Sequence, residues 1–122
     1  MIDTRKVLRS FGFAGQGIID LFRFENNAKV HGLTALLVLA LGLWLDLSRV
    51  EWALLVMQIG LVWAAEAMNT ALEKLCDHVT PEQHPHIKAI KDLASGAVLI
   101  MALTAVVVGL IILLPHLIDR FL

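Results

Sequence analysis

Glu66-Ala67-Met68-Asn69-Thr70-Ala71-Leu72-Glu73-Lys74-Leu75-Cys76-Asp77 begins inside an apolar run and ends outside it. On a helix turning about 100° per residue, Glu66, Asn69, Thr70, Glu73 and Asp77 share one stripe roughly 100° wide. The preceding residues, from Trp52 to Ala65, carry no charge. Three carboxylates and an amide thus lie on one face of a helix that starts in hydrocarbon. Ionisable residues are costly there and mark a functional site by default.

Outward from this stretch, the chain reads as a single all-α membrane domain over residues 1–122. Of its 122 residues, 58% are hydrophobic, and the mean hydropathy is +0.77. An ordinary soluble domain of this size is less apolar. The net charge of -1 implies neither an acidic nor a basic partner, and no nucleic-acid partner is expected. The single Cys76 cannot form an internal disulfide. The first residues are charged and no apolar core precedes a small-residue cleavage site, so no cleavable signal peptide is expected.

The second span is expected at about 51–73. From Trp52, Glu66 lies about 21 Å along the helix and Glu73 about 31 Å, against a hydrocarbon core of about 30 Å. Glu66 is then inside the bilayer edge and Glu73 at the surface. The least ambiguous span is the third, about 92–116, because Leu93 to Leu114 contains no charge. Counted back from Leu114, Ser95 reaches the same surface after about 28 Å. The first span, about 25–47, needs Glu25 as its start: Glu25 to Trp44 is about 28 Å. Glu25, Glu73 and the Lys91-Asp92-Ser95 group therefore meet at one membrane face.

The remaining segments connect these spans. Asp46 to Glu51 form a polar turn flanked by Trp44 and Trp52, and a polar connection runs from His78 to Lys88 with Pro81 and Pro85. Residues 4–24 read as an amphipathic helix in the membrane interface, with Val7, Phe11, Ala14, Ile18 and Phe22 at helical spacing. Arg5, Lys6, Arg9, Arg23 and Lys29, with Lys74, Lys88 and Lys91, sit on one side of the spans; Arg49 and Arg120 sit on the other. The positive-inside rule places the N-terminus and the polar stripe in the cytoplasm and the C-terminus outside.

Glu25, Glu73 and Asn69 supply hard oxygen ligands of the kind that suit Mg²⁺ carried by a nucleotide. Lys91 offers a positive charge for phosphates. Glu66, at greater depth, suits a general base for an acceptor group presented from the bilayer. Phosphoryl transfer needs mainly positioning and charge neutralisation. No Walker-type loop or protein-kinase glycine loop is present. His78, His84 and His86 with Cys76 and Glu82 match no standard zinc spacing. His31 reads as an interfacial hydrogen-bonding residue. These residues by themselves leave three classes open: lipid-directed transfer, an ion- or proton-coupled transporter, and a structural membrane subunit.

Three segments narrow the choice. Glu66-x-x-Asn69-Thr70-Ala71-x-Glu73-x-x-x-Asp77, Lys91-Asp92-x-Ala94-Ser95-Gly96-Ala97-Val98-Leu99 and Glu25-x-Asn27-x-Lys29-x-His31 resemble, in order, the prokaryotic diacylglycerol kinase family. The last, with His84-Pro85-x-x-Lys88-x-x-Lys91-Asp92, is more similar to its undecaprenol kinase branch. The resemblance implies a bacterial inner-membrane kinase that transfers the ATP γ-phosphate to a lipid hydroxyl, on undecaprenol or alternatively diacylglycerol. It implies a homotrimer with sites at subunit contacts. By position, Glu66 is implied as catalytic base, and Glu25 and Glu73 as Mg²⁺ ligands. Asn69, Glu73, Lys91, Asp92, Ser95, Lys6 and Arg9 are implied as nucleotide-binding.

Overall fold

The computed structural model describes every residue except Pro81 and Gln83, so the turn expected at Pro81 lies outside the described residues. Four helices follow one another: α1 (Thr4–Phe24), α2 (Asn26–Leu45), α3 (Arg49–Val79) and α4 (Pro85–Phe121). There is no strand among the described residues. The last three helices are long and apolar enough to cross a membrane.

Local chemistry sets each boundary. Asp3 caps α1, its carboxylate accepting from the amides of Arg5 and Lys6 at 3.1 and 3.3 Å. Glu25 is the elbow between α1 and α2, with extended backbone angles of -96° and 119°. Its own amide still donates to the Leu21 carbonyl, and its carbonyl accepts from Lys29, both at 3.1 Å. One residue thus closes α1 and opens α2, which holds Glu25 at the mouth of the bundle. Asp46 ends α2 in the left-handed region at φ 59°, which Asp tolerates better than most residues. Ser48 and Glu51 then form a capping box that starts α3, satisfying two amide donors reciprocally.

The connection between the second and third spans is shorter than the sequence implies. His78 and Val79 remain in α3, while Pro85 through Lys88 already belong to α4. Pro85 occupies the first turn of α4, where its missing N–H costs nothing. The His84 ring caps the same helix by accepting from the His86 amide at 3.1 Å. Lys91 and Asp92 are therefore helical residues, one to two turns beyond a fixed start.

Short connections make α2 and α3 antiparallel and return α4 beside α3, with α3 and α4 in the most extensive contact. Glu25, the Glu66–Asp77 stretch and Lys91–Ser95 come to one end. At the other end Leu45, Leu47, Leu55, Ile112 and Leu113 form a buried cluster. That end is also tied by polar contacts. His116 Nε2 lies 2.8 Å from Glu51 Oε2, and the Arg120 guanidinium sits 4.4 Å above the Trp44 ring.

Gly42 marks the tightest approach in this cluster. A Cβ there would stand 2.8 Å from the Trp52 ring and 3.0 Å from Leu47. Because Leu47 is buried and the indole is rigid, the crowding cannot relax cheaply. Gly42→Ala is expected to destabilise the folded chain by about 1–3 kcal/mol, read as a lower thermal midpoint in detergent. A midpoint at or above that of the unchanged chain would show that the ring moves freely.

Candidate functional site

Glu66 and Asn69 are the two buried polar residues of the described chain, at 2% and 7% exposure. Both project from the same face of α3, one turn apart. Asn69 Nδ2 donates to Glu73 Oε1 at 3.3 Å, one turn further on. Its own Oδ1 is buried with no hydrogen-bond partner, as is Glu66 Oε1. Buried acceptors of this kind are rare and costly. Here two stand within one turn of each other, both oxygen donors. Glu25 and Glu73 lie within electrostatic range of Glu66. The elbow and the α3 stripe thus form one acidic site.

The same geometry brings in His31. Its Nε2 lies 3.2 Å from Glu66 Oε1, close enough for an ion pair but out of line for a hydrogen bond, so Oε1 stays unsatisfied. From the sequence alone His31 reads only as an interfacial hydrogen-bonding residue. A depth count carries the missing signal: His31 is about 9 Å inward from Glu25, and Glu66 about 10 Å inward from Glu73. Antiparallel helices that start level at Glu25 and Glu73 therefore bring His31 and Glu66 to one height.

Two cavities flank the acidic site. One, of about 350 Å³, lies between α1 and α3 and is lined by Gly17, Asp20, Glu25, Thr70, Ala71 and Lys74, among others. The other, of about 490 Å³, is an apolar groove among α2, α3 and α4. His31, Thr34 and Trp63 line it at the Glu66 end, and Gln58 lies further in. Glu66 lines neither cavity; its neighbour His31 lines the groove, and Glu25, within electrostatic range of it, lines the smaller cavity.

The remaining predicted residues are placed apart from this cluster. Lys91 forms an ion pair with Asp77, joining α3 to α4. It precedes the charge-free part of α4, and the hydrogen bond to Asp77 holds its ammonium above the ordinary lysine range. Asp92 accepts from Lys88 at 2.6 Å on the exposed side of α4. Ser95 is exposed. Lys6 and Arg9 are exposed in the first turns of α1. Among the described residues, no hydrogen bond or ion pair joins any of these five to Glu66, Asn69 or Glu73. Lys91 lies within electrostatic range of Glu73.

The donor set fits a nucleotide-borne Mg²⁺. No three acidic, histidine or cysteine side chains among the described residues converge as a bare-metal cage. Mg²⁺ seldom uses such cages; it takes one or two carboxylates and completes its shell with phosphate and water. Glu25 and Glu73, with the free Asn69 oxygen, meet that requirement.

The family model described as prokaryotic diacylglycerol kinase matches residues 12–113. Over 115 residues the chain is 38% identical to the undecaprenol kinase of Bacillus subtilis, covering 94% of each protein. It is 37% identical over 114 residues to a diacylglycerol kinase of Synechocystis, covering 93% of this chain and 65% of that protein. With the diacylglycerol kinase of Escherichia coli K12 the identity is 29% over 111 residues and 91% of each chain.

The Asp77–Lys91 pair gives a direct check on the α3–α4 register. In a double-mutant cycle of Asp77→Asn and Lys91→Met, the two thermal shifts should be non-additive, and the coupling should shrink as salt is raised. Additive shifts at low salt would mean that the pair does not form in the folded chain.

Proposed function

Because the chain belongs to the prokaryotic diacylglycerol kinase family, we propose that it transfers the ATP γ-phosphate to the hydroxyl of a membrane lipid, with undecaprenol as the acceptor. The observation that carries this reading is the position of Glu66. It is a nearly sealed carboxylate with a free oxygen, set between an apolar groove on one side and the Glu25, Asn69 and Glu73 oxygens on the other. A base at that boundary can meet a hydroxyl arriving from the bilayer and a phosphate arriving from water.

Each residue then has a task. Glu66 accepts the proton as the lipid oxygen attacks the γ-phosphorus. Glu25 and Glu73 hold Mg²⁺, which neutralises phosphate charge when bound. Asn69 orients Glu73 through its amide and offers Oδ1 to the same centre. Lys91 supplies positive charge for the phosphates, with Asp92 and Ser95 beside it, and Lys6 and Arg9 approach from α1. Only the first group is assembled within a single chain. A homotrimer with sites at subunit contacts lets the exposed face of α4 of one copy complete the acidic stripe of another.

The same reading orients the molecule. In a bacterial cytoplasmic membrane, α1 lies in the interface, the acidic site and N-terminus face the cytoplasm, and the C-terminus is outside, as the Lys and Arg distribution favours. Undecaprenol is favoured over diacylglycerol by the Bacillus relative, which is similar along nearly its whole length.

In bilayers or detergent, the purified chain should convert ATP and undecaprenol to undecaprenyl phosphate in a Mg²⁺-dependent reaction, faster than it phosphorylates diacylglycerol. Absence of product from both lipids would sink the kinase reading; the opposite preference would reassign the acceptor. Glu66→Gln should abolish turnover while ATP still binds. Glu73→Gln should raise the Mg²⁺ concentration needed for half-maximal rate, and an unchanged requirement would remove Glu73 from the metal site.

A further inference from the structure

The Glu66 carboxylate presents a problem that the base assignment alone does not solve. It is 2% exposed and its Oε1 has no hydrogen-bond donor, so nothing on α3 fixes which way the carboxylate turns. Misplacing a reacting group by about 1 Å can cost about a hundredfold in rate. Among the described residues, the one basic side chain within ion-pair distance of it is His31, with Nε2 at 3.2 Å. His31 comes from a different helix and lines the apolar groove beside Thr34 and Trp63. The ring is partly exposed, at 24%, and borders the open groove. Catalytic hydrogen bonds are often misaligned before substrate binds and tighten afterwards.

We propose that His31 is a positioning residue for the acceptor step: its Nε2–H holds Glu66 Oε1 and leaves the other carboxylate oxygen to take the proton of the lipid hydroxyl. The inference rests on the kinase reading and on Glu66 as base. In that step the O–H proton passes to Glu66 and the lipid oxygen bonds to the γ-phosphorus. The bond from that phosphorus to the bridging oxygen breaks, with its electron pair leaving on ADP. His31 forms no bond to substrate. Its ring also walls the groove at the point where the hydroxyl must arrive, so a lipid that turns the ring into line aligns the base as it binds.

The test uses the full chain in detergent with undecaprenol and ATP. His31→Ala should lower kcat by about tenfold to a hundredfold, with KM for ATP changed by less than about twofold. His31→Gln places an amide N–H where Nε2 stood and should recover most of the rate. His31→Asn, which can reach only the Nδ1 position, should not. Unchanged kcat in His31→Ala overturns the proposal. So do equal losses in Gln and Ala, or a loss confined to KM for the lipid. If His31→Ala no longer binds ATP, His31 belongs to folding and the proposal fails. The underlying reading is separable: if the unchanged chain makes no lipid phosphate, or Glu66→Gln turns over normally, that reading falls and takes this inference with it.

Discussion

A carboxylate sealed in a membrane helix without a complete set of hydrogen bonds is the constraint on which the rest of this structure depends. An unpartnered polar group in an apolar setting costs several kcal/mol, and an isolated charge more. Glu66 is in that position, and the surrounding architecture limits the cost. The Glu25 elbow starts α2 at the level that brings His31 beside Glu66. The unbroken α3 carries Asn69 and Glu73 outward on the same face. The caps on α2, α3 and α4 fix the vertical offset of each helix, and the site exists only at that offset.

The far end of the bundle supports this arrangement by supplying rigidity where the site cannot. The acidic end has the smaller cavity, the mouth of the groove at His31 and two unsatisfied oxygens, Glu66 Oε1 and Asn69 Oδ1. The other end has the buried leucine and isoleucine cluster, the close Gly42–Trp52 approach, and the His116–Glu51 and Arg120–Trp44 contacts. Stability concentrated away from a reactive centre lets that centre keep groups that are locally unfavourable. The helices act as levers: an offset fixed by packing near Leu55 is transmitted along α3 to Glu66, about 16 Å away.

Much of this was legible from helix length alone. Counting 1.5 Å per residue from Trp44, Trp52 and Leu114 brings Glu25, Glu73 and the Lys91-Asp92-Ser95 group to one face, and in the folded chain contacts link these three segments. Side-chain pairing across helices was not legible in the same way. Asp77 and Lys91 are fourteen residues apart and Glu66 and His31 thirty-five, so no periodicity within a helix links them. The His31 pairing follows from depth once both helix starts are known. The Asp77–Lys91 pairing needed the extended α3 and the early start of α4, hidden because a polar composition between His78 and Lys88 reads as loop. Pro85 and His84 carried that information as capping residues, not as loop breakers.

The groove beside Glu66 bears on how a lipid alcohol reaches it. Few residues of the three long helices are buried within the chain: 22%, 17% and 11% of their most apolar windows. Lipid or other copies must therefore cover most of their length. The groove runs down the side of this bundle from His31 toward Leu117, and its walls are almost wholly apolar. An acceptor lying in it keeps its chain in hydrocarbon and exchanges one apolar surface for another, so little of its binding energy comes from desolvation. Selectivity is then left to the few polar groups that line it, His31 and Thr34 near Glu66 and Gln58 further in. In the proposed reading the acceptor hydroxyl lies at the His31 end, so the residue that meets the lipid there is also the one that aligns the base.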